Sequence, residues 1–316
     1  STQKEESVKK TEKFLSKNIQ TNSTNSFRSK NKIIKSDNEW SPLKEVILGS
    51  SKNFNWSTDD PVFMDAYDTM GWDFGGPVDN DIIEETEQAL RYYASILQRF
   101  DVVAHRPVEI DYVKLNAFGA YSPRDTVLVI GDKVVLTPCG WEKRRIEWDA
   151  YKHLFPSYTL CDDPAAHFDA AQVIRCNRDI IYLVSHGGNI EGANWLKDFL
   201  GKEYNVHLIG SDVYPGHHLD TTIIPLREGL VIFNAARMSE EHVPSFMKSW
   251  DKIWIHPNDL FDFQAGMMGS RSMYLNMFSI NEHVVVLDPD QTLLIDELQK
   301  HQILCHQVRL PHSKFL

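Results

Sequence analysis

What most restricts the fold of this chain is a unit of strand, strand, helix and strand that recurs about five times at a period of roughly fifty residues. It is readable from Trp40 onward. "KEVILGS" is a short β-rich run ended by glycine, and "DVVAHRP" is a strand closed by proline. Between them, "DNDIIEETEQALRYYASILQRF" opens with Asp/Asn cap candidates and repeats apolar residues at helical spacing. "TVLVIGDKVVLTP" predicts a hairpin turning at Gly131-Asp132, and the amphipathic "EKRRIEWDAYKHLF" predicts a helix after it. The pattern returns in "RDIIYLVS", "NIEGANWLKDFLGKEY" and "NVHLIG", and again in "TTIIPLREGLVIFN", "SEEHVPSFMKSW" and "KIWIHP". Its last instance is "SINEHVVVLDPD", "QTLLIDELQKHQ" and "ILCHQVRLP". A doubly wound sheet would alternate single strands with helices, whereas here hairpins precede the helices. The expectation is a single domain over residues 37–316, a closed ring of small α/β modules whose loops converge on one centre.

Residues 1–36 are rich in Ser, Thr, Asn, Gln and Lys and poor in apolar side chains, which predicts a disordered polar tail. That tail holds nine Lys/Arg and three Asp/Glu, a charge of +6. The whole chain stands at −11, so the remainder carries (33−9)−(44−3) = −17. An acidic body argues against nucleic acid as partner, because that binding needs clustered cations, and it suits a cationic substrate. Cys139, Cys161, Cys176 and Cys305 form no CxxC and no disulfide framework. No run resembles a signal peptide or a membrane span, so the chain reads as cytoplasmic with reduced thiols.

Four stretches place charged groups where strands or turns end. Arg124-Asp125 precedes a strand, and Asp169 sits among small residues ahead of a second pair, Arg178-Asp179. His217, His218 and Asp220 precede the next hairpin, and Arg237 follows it. Taken singly, such an Asp caps a turn and such an Arg lies in solvent. Repeated at equivalent ends of modules, they would be brought together. The stretch "GMMGSRSMYLNMFSI" puts Met267, Met268 and Met277 where methionine fills gaps in packing, and the Gly269-Ser270 step offers a hydroxyl and backbone N–H groups to a carboxylate.

"YPGHHLDTTI" has the composition of a metal site. If it enters a strand, however, His217 and His218 point to opposite faces and cannot share one ion. His218 and Asp220 would then share a face, which favours a proton-transfer histidine beside a carboxylate that binds a cation.

With these residues in view, the chain resembles the amidinotransferase family of the guanidino-modifying (pentein) superfamily, over about Trp40 to Leu316. "FDAAQVIRCNRDI" resembles the family's FDAADFxRxGRDI, "HHLDTTI" its xHIDxTF, "MGSRSMYLN" its MSSKWLxxN and "SPRD" its PRD. Arg237 follows His218 by nineteen residues, as the family's substrate arginine follows its histidine, and Gly192 and Trp195 also hold their places. The resemblance implies a five-bladed α/β propeller. It implies Asp169 and His218 as catalytic carboxylate and general acid/base, Asp125 and Asp220 as clamps on the donor guanidinium, and Arg237 and Ser270 as holders of the donor's α-carboxylate. Gly269 stands beside Ser270 in place of a serine, and His217 is read as a wall of the pocket.

The implied reaction moves the amidino group of L-arginine to an amine acceptor through a covalent amidino-cysteine and releases ornithine. Small-molecule substrates are then the only partners, without nucleic acid, membrane, cofactor or metal, and a homodimer is open to it. The family's nucleophile sits in a Gly-Gly-Gly-x-His-Cys stretch after a segment like "RLPHSKFL", which places it just beyond Leu316, and none of the four cysteines replaces it. Two alternatives stay open: a deiminase-type guanidino hydrolase, in which water resolves the adduct, and a non-catalytic guanidino-binding relative. The retained Asp169, His218 and Arg237 favour an enzyme. Gln172 in place of an aspartate, and a short Tyr158–Phe168 region, make arginine as donor a firmer expectation than glycine as acceptor.

Overall fold

A computed structural model of the chain describes residues 34–61, 63–65, 75–260, 273 and 275–312. Its first strand, β1 (Glu45–Ile47), is followed by a small insert in which β2 (Asn55–Trp56) pairs with β3 (Gly76–Pro77). Helix α1 (Asn80–Gln98) then crosses to β4 (Val103–His105), which lies parallel to β1.

Four three-stranded sheets follow in chain order. They are β5 (Val127–Ile130), β6 (Lys133–Leu136) and β7 (Thr159–Leu160), then β8 (Val173–Cys176), β9 (Asp179–Leu183) and β10 (Asn205–Ile209). Next come β11 (Ile223–Arg227), β12 (Leu230–Asn234) and β13 (Asp251–Ile255), then β14 (Phe278–Asn281), β15 (Val284–Leu287) and β16 (Leu304–Gln307). In each sheet the first two strands form an antiparallel hairpin and the third runs parallel to the middle one. This is the unit expected from the sequence, although among the described residues the sheets are small and none closes on itself.

Local chemistry accounts for the elements. Three of these hairpins turn where a residue accepts left-handed backbone: Gly131 (φ 56°), Asn177 (φ 62°) and Gly229 (φ 86°). Helix α2 (Ile190–Leu200) joins β9 to β10, capped by the Asn189 side chain on Gly192 N–H and ended by Gly201 at φ 71°. Helix α3 (Thr292–Lys300) joins β15 to β16. The middle strands are covered on both faces, which is why they read as unbroken apolar runs. Ile180, Ile181, Tyr182 and Leu183 are fully buried, as are Val231, Ile232 and Phe233. Each such side chain contributes about 1.5–3 kcal/mol by leaving water.

Two expected helices take other forms. "SEEHVPSFMKSW" is a pair of 3₁₀ turns, Glu240–His242 and Ser245–Met247, because Pro244 holds the residue before it, Val243, extended (ψ 126°). "EKRRIEWDAYKHLF" begins as a 3₁₀ helix (Glu142–Glu147), has one α turn (Trp148–Tyr151) and ends in another 3₁₀ turn (Lys152–Leu154). The 3₁₀ winding eclipses side chains three apart, which sets Arg144 directly over Glu147. Among the described residues no helix is long and apolar enough to cross a membrane.

Candidate active site

Three modules carry a helical turn immediately before their first strand. Asp125 lies in the turn Pro123–Thr126 before β5, Asp169 immediately precedes the turn Ala170–Gln172 before β8, and His218 precedes the turn Leu219–Thr221 before β11. Side chains sew the three turns together. Arg124 donates from Nη1 to the Ala170 carbonyl (3.0 Å) and from Nη2 to the Val173 carbonyl (2.7 Å), and its Nε lies 3.7 Å from Asp220 Oδ2. Gln172, fully buried, donates to the Leu183 carbonyl and to Ser185 Oγ, and its Oε1 accepts the His218 backbone N–H.

His218 stands at φ 68°, in the left-handed region that costs a non-glycine residue about 1–2 kcal/mol. The bond to Gln172 holds it there, and the strain directs the imidazole into a ring of carboxylates. Its Nε2 lies 3.2 Å from Asp169 Oδ2 and 3.7 Å from Asp125 Oδ1. This corrects the expected strand entry. Residues 217–222 are loop and turn, so the two histidines diverge through the backbone at His218 and not by pleat alternation. Their rings meet edge-on, 6.1 Å apart at 87°. His217 is exposed and sits between Trp141 (6.1 Å) and His186 (6.4 Å). It packs on Gly187, where a Cβ would come within 2.9 Å of His217 Nδ1, so the close approach requires glycine.

The electrostatics divide the site. Burial would lower the His218 imidazole, but Asp125 and Asp169 prevail and raise it to about 9, so it is an imidazolium at neutral pH. Burial would likewise raise Asp169, yet the His218 hydrogen bond and charge hold it below the usual carboxylate range. Burial raises Asp220 against the pull of Arg124 and His218, and its buried Oδ1 has no hydrogen-bond partner among the described residues. Its ring neighbours strip part of the water from His217, and with the charge of His218 they push it down although the residue keeps an exposed face. Arg237 lies over the Tyr214 ring at 3.7 Å and donates from Nη1 to Thr221 Oγ1 (2.7 Å) and Thr222 Oγ1 (2.8 Å).

The structure thus brings Asp125, Asp169, His218 and Asp220 together, with His217 beside them and Arg237 anchored to Thr221, the residue after Asp220. Gly269 and Ser270 lie outside the described residues. Sequence reading missed Arg144, Glu147 and Cys139. Arg144 donates from Nη1 to Asp125 Oδ2 (2.8 Å) and from Nε to Glu147 Oε1 (2.7 Å). The Cys139 thiol hydrogen-bonds Asp169, and burial followed by that carboxylate pushes it far up, leaving a neutral thiol. An i,i+3 Arg–Glu pair is the pattern of a solvated helix face, and a lone buried cysteine carries no pattern at all.

No protein-family model matches the chain. An inosamine-phosphate amidinotransferase of Streptomyces glaucescens is 32% identical over 329 aligned positions, covering 90% of this chain and 93% of that protein. The chain belongs to the amidinotransferase family. The solved structure of an inosamine-phosphate amidinotransferase from Streptomyces griseus superposes with a TM-score of 0.80 at 30% identity, covering 89% of this amidinotransferase and 92% of that chain. An L-arginine:L-lysine amidinotransferase of Pseudomonas savastanoi pv. phaseolicola is 26% identical, with 83% of this chain and 84% of that protein covered. Relatives of this amidinotransferase thus bear names with differing substrates, while the mixed α/β fold is common to it and the solved structure.

Proposed function

We propose that this amidinotransferase takes the amidino group from L-arginine and passes it to an amine acceptor, releasing ornithine. The observation that carries the reading is the buried Asp220 Oδ1, without a hydrogen-bond partner among the described residues, beside the carboxylates that surround His218. Planar guanidinium is bound best by carboxylates that accept its N–H groups in pairs. Asp220 and Asp125 Oδ1 take the donor guanidinium, and Arg237 with Ser270 takes its α-carboxylate. A relative whose name includes L-arginine is consistent with this donor.

The residues then divide the work. A cysteine thiolate attacks the guanidinium carbon, and the C–N bond to the departing chain breaks as His218 gives that nitrogen its proton. Asp169 orients His218 and stabilises its charge. The acceptor amine next attacks the amidino carbon, His218 now takes its proton, and the C–S bond breaks to restore the thiolate. None of the four cysteines suits this step. Cys139 is a neutral thiol bonded to Asp169, burial holds Cys176 far above the usual range, burial likewise raises Cys161, and it raises Cys305 to about 11. The nucleophile is therefore read as a residue outside this stretch of chain, as the family resemblance implies. The five crossover units are read as blades of one α/β propeller, supported by their repeated strand order.

The test is to incubate the full-length protein with L-arginine and a panel of amines and to measure ornithine. No ornithine with any amine sinks the transferase reading, and citrulline formed without an acceptor identifies a hydrolase instead.

A further inference from the structure

We propose that Arg144 is a positioning residue for the donor site: with buried Glu147 behind it, it fixes which oxygen of Asp125 faces the reacting group. The inference rests on the proposed role of Asp125 in binding a guanidinium.

The geometry is specific. Glu147 is completely buried, and Arg144 is nearly so, its side chain 11% exposed. The edge of the Arg144 guanidinium engages both oxygens of Glu147, Nε to Oε1 at 2.7 Å and Nη2 to Oε2 at 3.2 Å. That fork leaves Nη1 pointing one way, and Nη1 donates to Asp125 Oδ2 at 2.8 Å. A carboxylate has two oxygens. With Oδ2 held by Arg144, Oδ1 is turned toward His218 Nε2, 3.7 Å away. Asp125 can therefore offer a donor guanidinium one oxygen and not two, and Arg144 decides which one. Lysine could keep the charge but not the fork, because a point charge does not grip Glu147 at two sites while directing a third N–H at Asp125.

Glu147 plays a part distinct from ordinary structural pairing. Burial raises it to about 7 against the pull of Arg144, so a second carboxylate is kept beside that guanidinium at an energetic cost. Its surroundings are otherwise thinly bonded: the hydroxyls of Tyr112 and Tyr151, both close enough to feel its charge, are buried with no hydrogen-bond partner among the described residues. A pair serving stability alone would be replaced at little loss by apolar groups of the same volume. Here the pair has a third member in the active site.

The test uses full-length protein and the double variant R144M/E147L, which removes Glu147 together with its partner and leaves Asp125 the His218 imidazolium as its counter-charge. The expected result is an unfolding temperature within a few degrees of the parent, with kcat/KM for the guanidino donor down about a hundredfold and the KM of the acceptor unchanged. In an Asp125→Asn background the same double change should add less than about a threefold further loss, because its effect passes through Asp125. A full further hundredfold loss there, or unchanged donor kinetics in the parent background, overturns the proposal. R144K serves if the double variant does not fold, with a donor-specific loss of about tenfold expected and none overturning it. Should the parent turn over no guanidino donor, the proposed reaction fails, and titration of labelled His218 by NMR still decides the positioning role. Its midpoint should move up by on the order of half a unit in R144M/E147L, and a midpoint within about 0.2 unit of the parent overturns it.

Discussion

Gln172 accepts the backbone N–H of His218 through Oε1 at 2.5 Å, while its Nε2 donates to Ser185 Oγ at 2.8 Å and to the Leu183 carbonyl at 3.2 Å. One buried amide therefore ties the turn that carries Asp169 to the residue that faces it. Replacing Gln172 by leucine removes the partner of a strained backbone N–H and leaves Ser185 Oγ one donor short. The expected cost is about 1–3 kcal/mol of stability for the unmade bonds. Activity should fall by one to two orders of magnitude in kcat with the donor KM nearly constant, because the imidazole is misplaced and the clamp is intact. Thermal unfolding and steady-state kinetics on the same sample check both halves.

His218 should also govern how stability depends on pH. Its value is raised from 6.5 to about 9, so its contribution is fully present below about pH 6.5 and is lost as pH rises through about 9. Glu147, raised from 4.5 to about 7, acts in the same direction over a lower window. The lowered Asp169 is the other side of the His218 contact, and its share disappears as pH falls below the ordinary carboxylate range. The unfolding midpoint should therefore decline between pH 6.5 and pH 9, and His218→Asn should flatten that decline while abolishing turnover. A variant with the parent's slope would contradict the assignment.

The proposed clamp role of Asp220 sets binding against stability. Its Oδ1 is buried without a hydrogen-bond partner among the described residues, and burial raises its carboxyl. Asp220→Asn should leave the protein as stable as the parent or more so, by up to about 1–2 kcal/mol. The donor KM should rise at least about a hundredfold, since a charge-assisted pair becomes a neutral one. Calorimetry and donor saturation curves read the two effects, and a destabilised variant with unchanged KM would refute this account.

Arg237 tests the donor's identity. Its guanidinium stacks on Tyr214 and is anchored through Nη1 to two threonine hydroxyls. Arg237→Lys loses the stack and the fork together. The expected outcome is about a hundredfold loss of kcat/KM for L-arginine and little change for a guanidine of the same length that lacks the carboxylate. Equal losses on both donors would show that Arg237 does not read the carboxylate.

Much of the frame was legible because its signals are local. Glycine at the hairpin turns, apolar periodicity in α1 and the Asn189 cap each act over a few residues, and strand order follows from chain order. Asp125, Asp169, His218, Asp220 and Arg237 were legible as motifs at fixed spacing. Pro244 was present in the sequence, and its effect on Val243 was enough to cancel the expected helix.

What lay beyond the sequence is everything that depends on which distant groups meet. Pleat alternation separated His217 from His218 for the wrong reason: a left-handed backbone held by Gln172, 46 residues away, does it instead. Arg144 and Glu147 have the spacing of a solvated pair, and only the packing of their 3₁₀ helix against Asp125 buries them and gives them a task. The sequence by itself determined the order of the modules and the kinds of groups at their ends, since turn chemistry and periodicity are short-range. The tertiary structure decided charge and aim, because burial and the approach of carboxylates far apart in the chain set the His218 proton and turn Asp125 Oδ1 toward it.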